Sequence, residues 1–220
     1  MNDYSCFIFD MDGTITNTNR LIFDSFNHIV ERYRGGRMAD REIAALFGPP
    51  EEGALEVIVG RDRLAEAMEQ YLAFYREHHR ALASVYAGIP EVLEDLYRRG
   101  VMMALFTGKG RHAADISLEV LDLQRYFRKV VTGNDVTRHK PSGEGIESIL
   151  KEFGVPKHKT LMIGDSVSDI LAAREAGINV ASVLWDPYAR ERVLQHDRDF
   201  TFHTVDEFGA WARTVTSNGR

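Results

Sequence analysis

The sequence predicts an α/β fold, a parallel sheet with helices on both faces, interrupted after its first strand by an inserted α-helical unit. Short continuous apolar runs alternate with longer segments of helical spacing, which is how strands buried on both faces alternate with crossover helices. One long stretch, from Asn17 to Ala83, breaks that alternation and holds helical patterns alone. The expected division is therefore a core made of residues 1–16 and 84–220, with residues 17–83 as the insertion.

Taken in order, Ser5 to Phe9 reads as a buried strand that stops at Asp10, and Gly13 to Thr18 as a connecting strip. Within the insertion, Leu21–Tyr33, Asp40–Leu46, Glu52–Val59 and Asp62–Arg80 carry apolar residues at three- and four-residue spacing, the period of amphipathic helices. Phe23, Phe26, Tyr71, Phe74 and Tyr75 fall on that spacing and are expected in the insertion's core, whereas His78 and His79, late in a charged helix, are expected to be solvated. Ser84 to Gly88 is the returning strip. A helix follows from Ile89 to Arg99, with Pro90 in its first turn and Gly100 at its end. Val101–Phe106, Lys129–Thr132, Thr160–Ile163 and Asn179–Leu184 read as further strands. Arg111–Leu121, Gly145–Phe153 and Ser168–Ala176 read as the helices between them, the last two ending at Gly154 and Gly177.

Composition narrows the function classes. Of 220 residues, 44% are hydrophobic and 27% charged, which are globular values rather than those of a disordered chain. A net charge of -6 argues against a nucleic-acid or membrane-surface binder, which would present a basic face. It does not exclude an anionic substrate, because one metal ion and one lysine can dominate a local field. The single cysteine, Cys6, allows no internal disulfide and lies in the apolar run Cys6-Phe7-Ile8-Phe9, so it reads as a buried small hydrophobe. With no apolar stretch near the ~20 residues of a membrane span and no legible leader segment, a cytoplasmic location is expected, as a monomer or homodimer.

Four polar clusters lie at or just beyond the carboxyl ends of the expected strands, the edge where open parallel sheets bind ligands. In Asp10-Met11-Asp12-Gly13-Thr14, residues two apart in extended chain point the same way, so both carboxylates face one pocket and Gly13 permits a sharp turn. Asp10, ionised at neutral pH, could attack phosphorus without an activating base, and Asp12 could serve the leaving oxygen as acid and then water as base. The alternative for this segment is an Asx-type turn capping a helix. Phe106-Thr107-Gly108-Lys109-Gly110 offers a hydroxyl and free amides to phosphate oxygens, or simply a strand-to-helix turn. In His139-Lys140-Pro141 the lysine could balance phosphate charge, with Pro141 at the start of a helix. Gly164-Asp165-Ser166-Val167-Ser168-Asp169 runs a strand into two acidic residues four apart, which could hold Mg²⁺ or cap the next helix. Four acidic residues in one pocket would disfavour one another's ionisation without a cation, and Mg²⁺ removes that objection.

These segments resemble the haloacid dehalogenase superfamily, with Asp10-Met11-Asp12-Gly13-Thr14-Ile15, Thr107, Lys140-Pro141 and Gly164–Asp169 matching its four motifs in order and spacing. Asp169-Ile170-Leu171-Ala172-Ala173-Arg174-Glu175-Ala176-Gly177 and Tyr86-Ala87-Gly88-Ile89-Pro90 are further similar to its phosphoglycolate phosphatase-like branch, the latter to the return from a helical cap. The resemblance implies a Rossmann-like core, a closing cap and Mg²⁺-dependent phosphatase chemistry on a small phosphorylated metabolite or pyrophosphate. It implies Asp10 as nucleophile, Asp12 as acid/base, Thr107, Gly108, Gly13 and Lys140 around the phosphate, and Lys140 as the charge-balancing lysine. It further implies metal held by the Asp10 side chain, the Asp12 carbonyl and Asp165, with Asp169 behind or through water. Three positions depart from the pattern: Thr18 where an aspartate is common, Gly108 for asparagine and Gly143 for proline. The first is similar to a subgroup that includes pyrophosphatases.

Other readings have their own signatures. A dehalogenase would lack Asp12, and a phosphonate hydrolase would need a lysine in residues 17–83, where there is none. A phosphomutase would need cations for a second phosphate, for which Arg20, Arg37 and Arg41 are candidates. A non-catalytic phosphate-binding domain would be expected to have lost one of Asp10, Asp12, Lys140 or Asp165. The segment Phe47-Gly48-Pro49-Pro50-Glu51-Glu52 is a candidate specificity loop, and Trp185-Asp186-Pro187-Tyr188 either borders the pocket or packs as a loop.

Overall fold

The structure is a computed structural model that describes residues 3–47, 50–188 and 190–216. In chain order its elements are β1 (Cys6–Phe9), β2 (Thr16–Asn17), α1 (Asn19–Arg34), α2 (Asp40–Ala44), α3 (Glu51–Val59), α4 (Leu64–Leu82), β3 (Ser84–Val85), α5 (Ile89–Arg98) and β4 (Met102–Phe106). There follow α6 (Arg111–Val120), β5 (Lys129–Val131), α7 (Glu144–Phe153), β6 (Thr160–Gly164), α8 (Val167–Ala176), β7 (Asn179–Val183), α9 (Arg190–Val193), β8 (Phe200–Phe202) and α10 (Val205–Val215).

Six strands pair in the order β5-β4-β1-β6-β7-β8, every pair parallel. Alternate residues of each strand enter opposite cores, the period of two that a pleated strand imposes. Phe7, Phe9, Met103, Leu105, Leu161 and Ile163 face one side, with Leu93, Leu96, Leu118 and Phe208 of α5, α6 and α10. Cys6, Ile8, Ala104, Phe106, Met162 and Val180 face the other, with Ile146, Ile149, Ile170 and Ala173 of α7 and α8. Burial pushes the Cys6 thiol up to about 12, so it is a neutral packing residue. Burial on both faces is why these runs lack polar alternation.

The chain leaves β1 to one side through β4 and β5, then returns to β1's other edge through β6. The strand order reverses at β1, the place where open α/β sheets form a ligand crevice. Helices α1 to α4 pack on one another as a helical layer. Its cluster of Leu21, Phe26, Ile29, Leu55, Tyr71 and Tyr75 also takes in Ala113 and Ile116 of α6.

Several elements differ from the sequence expectation. The two strips flanking the helical layer pair as antiparallel β2 and β3. The helix expected from Asp62 begins as a 3-10 turn, Arg61–Arg63, and becomes α from Leu64. A sixth strand, β8, and α10 lie beyond the last strand the sequence patterns assigned. Pro141 does not open a helix, because α7 starts at Glu144. His79 is buried rather than solvated: its Nε2 lies 2.9 Å from Ser117 Oγ at the junction of α4 and α6. Burial and the nearby Lys109 ammonium push its pKa down to about 4, so it is neutral there. No helix among the described residues is long and apolar enough to cross a membrane.

Candidate active site

β1 delivers Asp10 as the first residue past its last rung, where the Asp10 amide still donates to Ile163 O at 2.8 Å. The chain then turns tightly, with Gly13 at φ +82 and Met11 O accepting from the amides of Thr14, Ile15 and Thr16. The Gly13 amide itself donates to Thr16 O at 2.8 Å, so in this arrangement it serves the turn rather than a phosphate. Asp12 faces the same crevice as Asp10. One of its oxygens accepts from the Thr18 hydroxyl and the other lies 3.1 Å from Lys109 Nζ.

Lys140 arrives from the loop before α7. Its Nζ lies 2.9 Å from Asp10 Oδ1 and 2.6 Å from Asp169 Oδ1, with 5% of the side chain exposed. Burial alone would lower its pKa, but the two carboxylates outweigh that and hold it above the ordinary lysine value. β6 ends at Gly164 and presents Asp165, whose Oδ1 accepts from Thr14 Oγ1 at 2.9 Å. The α8 N-cap is Ser166 rather than Asp165. Asp169 turns back to it, accepting from Ser166 N at 3.0 Å and Oγ at 2.6 Å through Oδ2. Both Asp169 oxygens are thus taken, one by Lys140 and one by the helix start.

Oxygens of Asp10, Asp165 and Asp169 all lie within 4.8 Å of one another. Burial, partly offset by Lys140, pushes Asp10 up to about 7. Burial and the Asp10 and Asp169 charges hold Asp165 well above the carboxylate range. One lysine is too little positive charge for three buried carboxylates, and a hard divalent cation suits that donor set. Both Asp169 oxygens carry hydrogen bonds, whereas among the described residues Asp10 and Asp165 are each engaged through Oδ1 alone, which leaves Oδ2 of each to face such an ion.

Thr107 and Gly108 follow β4 and line the same cavity of about 610 Å³, together with Asp10, Asp12, Lys140 and Asp165. The sequence-derived residues thus converge, from three neighbouring strand ends and one loop. Arg20, Arg37 and Arg41 are not among the described lining residues; Arg37 is instead tied to Asp24 and Glu31 at 2.8 Å each. Of the candidate specificity loop, Gly48 and Pro49 lie outside the described residues, while Phe47 and Glu51 line the cavity.

Of Trp185-Asp186-Pro187-Tyr188, which the sequence leaves between bordering the pocket and packing as a loop, Asp186 and Tyr188 line the cavity; Lys109 has no role assigned from the sequence. Asp186 accepts from Tyr86 OH at 2.6 Å and Asn19 Nδ2 at 3.0 Å, joining the strip after β7 to both flanks of the helical layer. It stands three residues beyond the end of β7, the position that makes its segment a candidate border of the pocket. Lys109 lies two residues after Thr107, but nothing in a chain with 27 Lys plus Arg marks it as buried.

The family model described as haloacid dehalogenase-like hydrolase matches residues 7–183. The chain is 34% identical to the pyrophosphatase PpaX of Anoxybacillus flavithermus over 200 residues, 91% of this chain and 93% of that one. It is 31% identical to pyrophosphatase PpaX of Halalkalibacterium halodurans over the same shares. Among solved structures, a predicted phosphoglycolate phosphatase from Haemophilus somnus superposes with a TM-score of 0.83 at 21% identity, covering 94% of this chain and 97% of that one. A hydrolase from Pseudomonas syringae does so with 0.80 at 21%, covering 99% and 100%.

Proposed function

The chain belongs to the haloacid dehalogenase-like hydrolase family and is a phosphatase of it, and we propose that it hydrolyses a small phosphorylated metabolite or pyrophosphate, with Mg²⁺, through an aspartyl-phosphate on Asp10. The observation that carries the reading is the meeting of Asp10, Asp12, Lys140 and Asp165 at the strand-order reversal.

Asp10 and Asp165, with the Asp12 carbonyl, would hold Mg²⁺, and Asp169 would stand behind them. Bound there, the ion would draw charge from the phosphoryl oxygens and hold the group against Asp10. A carboxylate oxygen of Asp10 attacks phosphorus in line, the bond to the leaving oxygen breaks, and Asp12 gives that oxygen its proton. Thr107 and the Gly108 amide face the transferring group, and Lys140 balances its charge. Water then attacks the phosphorus, loses its proton to Asp12, and frees phosphate and the Asp10 carboxylate. Of the substrate choices, pyrophosphate is supported by the relatives named as pyrophosphatases and by Thr18 in place of the commoner aspartate. A reducing cytoplasm suits the lone buried thiol of Cys6.

The test is phosphate release by the purified protein with Mg²⁺ from pyrophosphate, 2-phosphoglycolate, sugar phosphates and nucleotides. One preferred compound is expected, with turnover reduced at least ~10³-fold by Asp10→Asn while the fold persists. Release from none of them, or substantial activity left in Asp10→Asn, overturns the reading.

A further inference from the structure

The loop after β4 carries a second buried ammonium for which these steps have no task. Lys109 has 2% of its side chain exposed, with Nζ 3.1 Å from Asp12 Oδ2 and 3.6 Å from Glu51 Oε1. Glu51 is the first residue of α3, in the helical layer, and is itself buried. Its Oε2 accepts from the Gly110 amide at 2.6 Å. A side chain at residue 110 would block that approach, since a Cβ there would stand 2.4 Å from Glu51 Oε2. Gly133 makes the same kind of room for the preceding residue: its Cβ would stand 2.6 Å from Pro50 Cγ. Two notches in the core loops therefore receive two consecutive residues of the helical layer, and the carboxylate entering one of them lands on Lys109.

A buried ammonium is held in place by its counter-charges, so the position of Lys109 follows from Glu51 and Asp12. The Asp12 carboxylate is in turn fixed at both oxygens, by Lys109 on Oδ2 and by the Thr18 hydroxyl on Oδ1. Thr18 sits at the entry to α1, so each of the two restraints leads back to the helical layer. We infer that Glu51 and Lys109 are positioning residues that link the docking of α3 on the core to the orientation of Asp12. Docked, Glu51 sets Lys109 and Lys109 sets the carboxylate; undocked, Asp12 loses the contact that aims it. The inference rests on the phosphatase reading, in which Asp12 moves the proton at the leaving oxygen.

The test is a double-substitution cycle on phosphate release with Glu51→Gln, Lys109→Met and both together. Glu51→Gln keeps an acceptor for the Gly110 amide and removes the charge. Each single change is expected to lower kcat by up to about 100-fold with KM changed less than about threefold, the cost of misaiming a reacting group. The double variant is expected to be no worse than Lys109→Met alone to within about twofold, because both act through one contact. Losses that multiply, or that fall on KM alone, overturn the inference. Gly110→Ala guards against a misfolded lysine variant: residue 110 has φ -68, which alanine adopts freely, so the change acts through space alone. It should reproduce the kcat loss, and a normal kcat sinks the link. Hydrogen exchange at the amides of 108–111, without substrate, should quicken in Glu51→Ala. Unchanged exchange refutes the docking even if the wild-type protein releases phosphate from nothing, a result that would refute the phosphatase reading instead.

Discussion

Gly13 and Asp165 lie so close that a Cβ on Gly13 would stand 2.2 Å from Asp165 Oδ2. Gly13 also has φ +82, a conformation L side chains avoid. The turn after Asp10 and the acidic residue after β6 therefore share one space, with room for a carboxylate and no methyl group. Gly13→Ala is expected to displace Asp165 from Thr14, cost on the order of 2 kcal/mol of stability from backbone strain and the clash, and raise the Mg²⁺ concentration needed for half-maximal activity. Thermal melting and a Mg²⁺ titration of activity measure the two effects. Wild-type metal dependence in a folded Gly13→Ala protein would show that Asp165 does not need this place.

Lys140 is the cation between Asp10 and Asp169, at 2.9 and 2.6 Å. Lys140→Met keeps much of the side-chain volume and removes the charge, leaving buried carboxylates without their partner. The expected loss is about 3–5 kcal/mol, the usual cost of breaking a buried pair from one side. Urea unfolding without divalent ions reads it. Added Mg²⁺ should restore a larger fraction of stability in the variant than in the wild-type protein, since the ion meets the same carboxylates. Equal Mg²⁺ effects on the two proteins would count against Lys140 and the metal neutralising one cluster.

The parts of this architecture that could be read from the sequence are those with a physical signature along the chain. β1, β4, β6 and β7 are buried on both faces, so they appear as apolar runs, and the first three are followed at once by a polar residue. Edge elements carry no such signature. β8 is three residues long, Phe200-Thr201-Phe202, two of them only half-buried, and it follows charged sequence that masks it. β2 and β3 are two residues each and exist because Thr16 and Asn17 find Val85 and Ser84 across a long insertion, a partnership with no local trace. The same holds for His79. Its neighbours in the chain are charged, and what buries it is Ser117 on a helix 38 residues away. Asp10, Asp12 and Asp165 can be brought together from the sequence because strand ends order them, whereas Lys140, in the loop before α7, is marked only by its match to a motif. Glu51 and Lys109 meet only through the docking of one layer on another, which spacing cannot report.

Asp165→Ala leaves Asp10 and Asp169 in place and takes away the carboxylate that Thr14 orients at 2.9 Å. The Mg²⁺ concentration for half-maximal activity should rise by more than about tenfold, the lower end of what even outer-shell partners of a metal cost. At saturating Mg²⁺ much of the turnover should return, because Asp10 and Asp12, the proposed nucleophile and acid/base, are untouched. An unchanged metal dependence removes Asp165 from the metal site, and activity beyond rescue by Mg²⁺ assigns it a role in the chemical step.

Metal and pH should act on stability in opposite directions. Burial raises Asp10 from 3.8 to about 7, so between those values the folded protein holds a proton that the unfolded chain has released. By linkage, stability then falls as pH rises through that window, with the favourable contribution present at its acid end. Asp165 is raised by the same burial and adds to the fall. Mg²⁺ favours the charged forms and must displace those protons to bind, so its stabilising effect grows as pH rises. The increase in melting temperature produced by Mg²⁺ is therefore expected to be larger at pH 7 than at pH 5. Buried His79, pushed down to about 4, and exposed acidic groups with lowered pKa values, such as Glu144 and Glu175, add a trend of the opposite sign, but that trend is common to both metal conditions and cancels in the difference. Asp10→Asn, which cannot titrate, should narrow the difference between the Mg²⁺ effects at the two pH values. A Mg²⁺ effect equal at both pH values would mean that the ion binds away from Asp10 and Asp165, and the metal assignment would have to move with it.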